Sequence, residues 1–186
     1  GAAVALKLAR LGWTVVVTAR SQEKLAALAE RAGGSRGRIV PMAGDTTDAA
    51  RMRAIVDAIE AEHGGLARAI LNAGVYTPVD GEAPSHAAFD TQIAVNVSGT
   101  VNSLLPAIAA MRARGRGQIA IVSSVAGYAG LPKAAAYGMT KAGLINLAES
   151  LKFDLDHEGI LIQLVCPGFV DTPATAENPF EMPFLM

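Results

Sequence analysis

The feature that most constrains the fold is a regular alternation of short apolar runs with longer segments of helical periodicity. The short runs predict strands within 13–19 (WTVVVTA), 37–44 (GRIVPMAG), 67–74 (ARAILNAG), 117–124 (GQIAIVSS) and 159–168 (GILIQLVCPG). Helices are predicted over 21–34, 47–65, 87–114 and 135–157, and another opens the chain in GAAVALKLARLG. This alternation predicts an α/β fold, a doubly wound parallel sheet between two layers of helices.

The predicted strands are apolar throughout, which is typical of strands that are buried on both faces. Ligands of such sheets bind at the carboxyl ends of the strands. That rule directs attention to the residues that follow each run, namely Arg20, Asp45, Asn72-Ala73-Gly74, Ser123-Ser124 and Pro167-Gly168. The sequence contains no linker, repeat or low-complexity stretch, so we expect residues 1–186 to form one domain.

The composition narrows the function further. Hydrophobic residues make up 51% of the chain and the formal net charge is -1, so no basic excess indicates nucleic-acid binding. No apolar run approaches the roughly 20 residues of a membrane span. The single cysteine, Cys166, cannot form an internal disulfide, and we expect a cytoplasmic protein. The histidines are scattered, which argues against a metal site.

The two ends of the sequence are unusual for this fold. A dinucleotide-binding unit begins with a strand, a glycine-rich turn and a helix, whereas this chain begins in the helix with Gly1. The other end stops in the apolar stretch NPFEMPFLM. We therefore expect either a truncated fragment or the ordered part of a longer protein.

The chemistry is concentrated around Tyr137 and Lys141, which lie four residues apart on a predicted helix and so share one face. Such a pair is common on helix surfaces and is weak evidence alone. Ser124 follows a predicted strand 13 residues upstream, and Asn96 lies in the long helix before that strand. Each has a structural alternative: Ser124 could satisfy backbone groups, as Ser123 is expected to do, and Asn96 could bend its helix.

Six segments in this order and spacing resemble the short-chain dehydrogenase/reductase family from Gly1 to about Thr175. They are GDTTD (44–48), NAG (72–74), VNVSGT (95–100), SSVAG (123–127), YGMTK (137–141) and PGFVDT (167–172). The chain departs from the family pattern in two places. Gly1 alone represents the glycine-rich turn, and Leu71 replaces an asparagine. The resemblance implies an NAD(P)-dependent oxidoreductase that interconverts a carbonyl and a secondary alcohol.

The resemblance also implies roles for four catalytic residues. Tyr137 would be the acid/base, and because a free tyrosine has a pKa of about 10, a neighbouring Lys141 cation and an oxidised nicotinamide should lower it. Lys141 would also bind the nicotinamide ribose. Ser124 would hydrogen-bond the substrate carbonyl. Asn96 would hold a water that links Lys141 to solvent.

The cofactor preference depends on the end of the second family strand. Ala19 stands where NAD-preferring relatives usually carry aspartate, and Arg20 follows. An arginine fork matches a phosphate, so NADP(H) is favoured over NAD(H), although Arg20 could instead be solvated. Ser21 could assist the phosphate or only cap a helix. The other cofactor contacts implied by resemblance are Gly1, Asp45, Thr46, Asn72, Ala73, Gly74, Tyr137, Lys141, Pro167, Gly168, Val170 and Thr172.

The substrate and the partners are less determined. Residues 173–186 would begin a substrate lid whose apolar side chains favour a hydrophobic carbonyl compound or simply pack the lid. Further pocket walls are expected from Val75, Tyr76, Tyr128 and Leu131. The helices at 87–114 and 135–157 pair between subunits in many relatives, so a homodimer or homotetramer is expected. The alternatives are a non-catalytic nucleotide-binding regulatory protein and an inactive truncated fragment.

Overall fold

The computed structural model describes residues 1–79 and 81–170; Thr172 and the predicted lid at 173–186 lie outside them. Helices and strands alternate along the described chain. The helices are α1 (Ala2–Arg10), α2 (Gln22–Arg31), α3 (Ala49–Glu62), α4 (His86–Gln92), α5 (Gly99–Arg114) and α6 (Ala135–Leu155). The strands are β1 (Thr14–Val17), β2 (Arg38–Pro41), β3 (Arg68–Leu71), β4 (Gly117–Val122) and β5 (Ile160–Val165).

The strands pair only in parallel, which confirms the predicted α/β class. They form two sheets, β1-β2 and β3-β4-β5, rather than one continuous sheet. Among the described strands, β1 and β3 do not pair with each other. Contacts nevertheless connect the parts of the chain around the two sheets. The Arg68 guanidinium lies 5.3 Å from the ring centroid of Trp13, and Gly1 lies against the Asn72 side chain.

The strand β1 is covered on both faces, as predicted. Val15 and Val17 pack with the apolar cluster of α1 and α2, whereas Val16 packs with Met52 and Ile55 of α3. Successive side chains of a strand point to opposite faces, so the run of three valines contributes to two cores at once. This explains why the run is continuous rather than alternating.

The sheet β3-β4-β5 is covered differently. Its core face packs Ile119 and Ile121 against α5 and α6, where Leu104 and Leu144 are almost fully buried. The opposite face carries Ile70 and Leu161, which are 38% and 50% exposed, and a hydrogen bond between Gln118 and Gln163. Within the described residues, α1 and α2 pack over β1 and β2, and this face of the sheet β3-β4-β5 is partly exposed.

The helix predicted at 87–114 is divided into three parts. A π-helical segment, Ile93–Ser98, separates α4 from α5. The whole stretch His86–Arg114 has 29 residues and is long and apolar enough to cross a membrane by length and composition alone. In this structure it is a core helix: Leu104 and Met111 are buried against the sheet, and the polar side chains Gln92 and Asn96 are fully buried within it.

Local sequence signals set the ends of several helices. The Ser21 hydroxyl accepts a hydrogen bond from the Lys24 N–H at the start of α2, and the Asp48 carboxylate accepts one from the Arg51 N–H at the start of α3. Both are N-caps, which stabilise a helix by about 1 kcal/mol. His63 ends α3, as its position before Gly64 predicts.

Candidate functional site

The residues selected at the sequence level follow strands whose carboxyl ends point the same way. Asn72, Ala73 and Gly74 follow β3 and are exposed, Ser124 follows β4, and Pro167 and Gly168 follow β5. Parallel pairing places these ends on one edge of the sheet β3-β4-β5. The helix α6 brings Tyr137 and Lys141 to the same edge, because Lys141 bonds to the last residue of β4.

Tyr137 is half-buried at the start of α6. Burial raises the pKa of its phenol above the ordinary value, a hydrogen bond with the Ser124 side chain acts in the opposite direction, and Tyr76 raises the pKa further. The Ser124 hydroxyl also accepts a hydrogen bond of 3.2 Å from the Ala126 N–H. Because that bond uses a lone pair of the oxygen, the Ser124 proton is left to donate.

Lys141 is buried, with 4% of its surface exposed. Its Nζ donates a 3.0 Å hydrogen bond to the Val122 carbonyl and lies 5.5 Å from the ring centroid of Tyr137. Burial lowers the pKa of this ammonium, and Cys166 opposes the effect. The side chain thus contacts the ring of Tyr137 while its bond is directed to the backbone.

The predicted lowering of the Tyr137 pKa is wrong for the chain without cofactor. Two physical effects account for the difference. The phenol loses hydration on burial, which disfavours the phenolate. The Lys141 ammonium is itself desolvated, and its hydrogen bond goes to the Val122 carbonyl.

Asn96 lies in the π-helical segment and is fully buried. Its Oδ1 accepts from the Val75 N–H at 2.8 Å, and its Nδ2 donates to the Val75 carbonyl at 3.0 Å and to the Thr140 hydroxyl at 3.0 Å. The side-chain amide is therefore committed to holding the loop after β3 against α6. The water relay expected of Asn96 stays a prediction.

Gly74 is closely packed between Asn96 and Lys141. A Cβ there would lie 3.3 Å from Asn96 Oδ1 and 3.4 Å from Lys141 Nζ, closer than most such contacts. Ser123 behaves as expected of a structural residue, since its hydroxyl is buried and donates to the Lys141 carbonyl at 2.7 Å. The Val122 carbonyl, Gly74 and Ser123 thus surround Lys141 and fix its position.

Gln92 and Thr140 are among the buried polar residues that were not selected from the sequence. Gln92 is fully buried and bonds to the backbone of Thr77, and Thr140 connects Asn96 to the Tyr137 carbonyl, to which its hydroxyl donates at 2.7 Å. A signal for Gln92 exists: it lies four residues before Asn96 and therefore on the same helix face. Thr140 lies inside the YGMTK segment but has no chemistry that distinguishes it in the sequence.

The residues expected at the adenosine end lie after β1 and β2. Arg20 is exposed, and its charge contributes to lowering the pKa of Asp45, after hydrogen bonds from the Thr47 N–H and hydroxyl. Those bonds measure 2.9 and 2.8 Å. Of the two roles left open for Ser21, the structure contains the helix cap.

Thr46 is held against α5. Its carbonyl accepts from Asn102 Nδ2 at 2.9 Å, and its side chain packs on Gly99, where a Cβ would lie 2.6 Å from Thr46 Oγ1. Asn102 is a further residue that the sequence did not indicate. The glycine allows the loop at 45–47 to approach the helix.

These groups fit a nicotinamide dinucleotide. At one end, the Lys141 ammonium lies beside the exposed backbone of residues 72–74, where a side chain in place of Gly74 would be crowded. At the other end, exposed Arg20 lies close enough to the Asp45 carboxylate to contribute to its lowered pKa. In the described ranges, no group of three or more histidine, cysteine, aspartate or glutamate side chains could hold a metal ion.

The four expected pocket walls lie in two places among the described residues. Val75 and Tyr76 lie with the site, and the Tyr76 ring centroid is 5.3 Å from that of Tyr137. Tyr128 and Leu131 instead line a cavity of about 210 Å³ between residues 126–131 and the start of α6. Tyr137 is not among the residues that line that cavity, and the contribution of Tyr128 and Leu131 to the substrate pocket stays a prediction.

A family model described as short chain dehydrogenase matches residues 1–182. An uncharacterized oxidoreductase of Myxococcus xanthus is 37% identical over 186 residues, which cover 100% of this chain and 74% of the relative. A 3-oxoacyl-(acyl-carrier-protein) reductase of Thermotoga maritima is 30% identical over 179 residues, covering 96% of this chain and 73% of the reductase.

Solved structures agree with these sequence relatives. A gluconate 5-dehydrogenase from Burkholderia cenocepacia, in complex with NADP and tartrate, superposes with a TM-score of 0.87 at 28% identity, covering 95% of this chain and 70% of that one. An NAD+-bound xylitol dehydrogenase superposes with a TM-score of 0.87 at 25% identity, covering 92% and 66%.

Proposed function

Because the chain belongs to the short-chain dehydrogenase family of oxidoreductases acting on CH–OH groups, we propose that it interconverts a carbonyl and a secondary alcohol with NADP(H), using Tyr137 as the acid/base. The observation that carries the proposal is the joint placement of Tyr137, Ser124 and Lys141 at the carboxyl edge of the sheet. Ser124 acts to lower the pKa of the Tyr137 phenol, and Lys141 Nζ lies over the ring of Tyr137.

The proposed mechanism assigns proton chemistry to the chain. Bound nicotinamide supplies or accepts the hydride. In carbonyl reduction, Tyr137 donates a proton to the developing alkoxide, and its raised pKa keeps the phenol protonated at neutral pH for that purpose. Ser124 donates a hydrogen bond to the same oxygen and stabilises its developing charge.

Lys141 has two roles in the proposed mechanism. Its buried ammonium binds the ribose hydroxyls, and its charge favours the phenolate that alcohol oxidation requires. The lysine is anchored through the Val122 carbonyl, so it can serve both from one position. Asn96 supports this geometry through Val75 and Thr140, and the proposed water relay would start beside it.

The central experiment follows NADPH absorbance with a panel of ketones and aldehydes for the wild type and for Tyr137→Phe. Loss of the proton donor should reduce turnover about 10²- to 10⁴-fold, the usual contribution of general acid/base catalysis. NADPH binding, measured by fluorescence, should change little, since only one hydroxyl is removed. Unchanged turnover in the variant would remove Tyr137 from the mechanism.

The preference for NADP(H) is proposed from Arg20, which is exposed next to Asp45. Arg20→Gln should weaken NADPH about 10- to 100-fold, the cost of one or two charge-assisted hydrogen bonds, and leave NADH almost unaffected. Arg31→Gln, an exposed arginine at the end of α2, is the matched control. Equal losses for both dinucleotides would contradict the phosphate role.

Two alternatives remain distinguishable by the same assays. A non-catalytic nucleotide-binding regulatory protein would bind NADPH without turning over any carbonyl compound, although such proteins usually lose the tyrosine or lysine that this chain keeps. An inactive truncated fragment would bind neither dinucleotide.

The proposal includes the setting of the enzyme. We place it in the cytoplasm as a single domain over 1–186, with a substrate lid from 173 and a preference for hydrophobic carbonyl substrates. A homodimer or homotetramer through α5 and α6 is proposed because Leu105 and Phe153 are 58% and 84% exposed on these helices. Light scattering coupled to gel filtration measures the assembly, and a monomer would contradict it.

A further inference from the structure

The loop after β3 is held to the helix by two side-chain amides in an unusual way. Asn96 pairs with both the N–H and the carbonyl of Val75, at 2.8 and 3.0 Å. Gln92, one helical turn earlier, pairs with both the N–H and the carbonyl of Thr77, at 3.2 and 3.1 Å. The two amides thus engage alternate residues of the loop, as a neighbouring strand would do.

This pairing determines where the intervening residue points. In an extended segment, successive side chains leave on opposite faces, so Tyr76 projects away from the face that Val75 and Thr77 share. On the opposite face, the ring of Tyr76 contacts the ring of Tyr137, with ring centroids 5.3 Å apart and ring planes at 72°. This is an edge-to-face aromatic contact, a favoured geometry for such pairs.

The support for Tyr76 is rigid. Gln92 and Asn96 are fully buried, and their polar atoms would be left without partners if the loop moved away. Leaving one such group unsatisfied costs about 1–3 kcal/mol. The loop is therefore fixed in place, and Tyr76 with it.

We propose that Tyr76 is a positioning residue for Tyr137: its ring holds the phenol in one orientation and keeps water from one side of it. This inference rests on the proposed function, in which the Tyr137 phenol is the acid/base. Tyr76 does not exchange a proton with substrate. It acts through the group that does.

The electrostatics of the pair agree with this role. Tyr76 is among the causes that raise the pKa of Tyr137, and burial raises the pKa of Tyr76 itself. Removing the Tyr76 ring would admit water to the Tyr137 phenol, which favours the phenolate and lowers its pKa.

The first test needs no cofactor and uses the fact that the chain has three tyrosines. Two double variants share Tyr128→Phe and differ only at position 76, one with Tyr76→Phe and the other with Tyr76→Leu. In both, Tyr137 is the sole tyrosine, and tyrosinate absorbance reports its ionisation directly. We expect a midpoint at least about half a pH unit lower in the leucine variant, because only the phenylalanine keeps the ring in place.

An equal or higher midpoint in the leucine variant overturns the proposal. Thermal unfolding verifies that both variants are folded over the titration. Tyr76→Met, which fills more of the space of the ring, replaces Tyr76→Leu if the latter does not fold.

The second test uses turnover. The pH profile of alcohol oxidation by Tyr76→Leu should rise at lower pH than that of the wild type, with kcat about tenfold lower because the phenol is less well oriented. Tyr76→Phe keeps the ring and should shift the profile less than Tyr76→Leu does. An unshifted profile in an active Tyr76→Leu enzyme refutes the positioning role, whereas a wild type without turnover refutes the proposed function and leaves the titration to decide on Tyr76.

Discussion

At the scale of single residues, the Lys141 ammonium is a charged group whose burial costs free energy. It is 4% exposed and its hydrogen bond goes to a neutral carbonyl, that of Val122. A buried charge without a matching counter-charge is expensive, and such groups often mark functional sites. The sequence selects Lys141 through its spacing from Tyr137, but the degree of burial depends on how Gly74, Asn96 and Ser123 pack around it.

Lys141→Met tests this cost. Because burial lowers the folded-state pKa of Lys141 from its ordinary 10.5, the charge destabilises the folded wild type at neutral pH, and that penalty fades as pH rises through the lowered pKa toward 10.5. The stability of the variant relative to the wild type should therefore be greatest near about pH 7 and decline in alkali. Urea unfolding across this range measures the difference.

The matched control is Lys7→Met on the exposed side of α1. It makes the same substitution without a buried charge, and its stability difference should not follow that trend. Turnover should fall in Lys141→Met alone. A relative stability that increases with pH in Lys141→Met would contradict the physical account of this site.

At the scale of elements, the π-helical segment between α4 and α5 is what the sequence does not predict. Helical periodicity marks 87–114 as one helix, and nothing in IAVNVS distinguishes six π-helical residues from a regular helix. The segment carries Asn96, and π-helical segments are frequent at functional sites. The existence and order of the elements follow from local patterns, whereas this distortion depends on tertiary bonds from Asn96 to Val75 and Thr140.

The same limit applies to the candidate site. The motifs of the resemblance identify Tyr137, Lys141 and Ser124, and the structure brings them to one edge of the sheet. The residues that hold them in place, such as Gln92, are polar groups in apolar segments whose partners lie in distant loops. The sign of the Tyr137 pKa change depends on that burial too, which no spacing in the sequence encodes.

A glycine on α5 tests how closely the helix supports the adenosine end. In Gly99→Ala the new Cβ would lie 2.6 Å from Thr46 Oγ1 and 3.1 Å from Thr46 Cβ, so the loop at 45–47 must move. We expect a loss of stability of about 1–3 kcal/mol, as for other overpacked sites, and weaker NADPH binding. Thermal unfolding and fluorescence titration measure the two effects.

Gly143→Ala on α6 is the matched control, since a Cβ there meets no atom within 4 Å. Alanine is the better helix former, by up to about 1 kcal/mol, so this variant should be as stable as the wild type or more so. If both substitutions had the same effect, close packing of Thr46 on α5 would not be what supports the loop.

At the scale of the whole molecule, one side-chain pair connects α3, α5 and the chain entering β3. Arg114, the last residue of α5, forms a salt bridge with Glu60 of α3 and donates to the Leu66 carbonyl at 2.6 Å. Glu60 in turn accepts from the Leu66 N–H at 2.7 Å. The two side chains thus satisfy both backbone groups of Leu66, whose side chain packs against the cores on both sides.

Arg114→Ala should therefore destabilise the fold through more than a lost ion pair. It leaves the Leu66 carbonyl without its donor and Glu60 without its counter-charge, for an expected loss of about 2–3 kcal/mol in the free energy of unfolding. The control lies two residues earlier: Arg112 pairs with Glu158 at the surface, where its side chain is 56% exposed, and solvent screens that pair. Arg112→Ala should thus change the urea midpoint little. Equal losses of stability in the two variants would show that the bonds from Arg114 and Glu60 to the Leu66 backbone contribute nothing beyond surface charge.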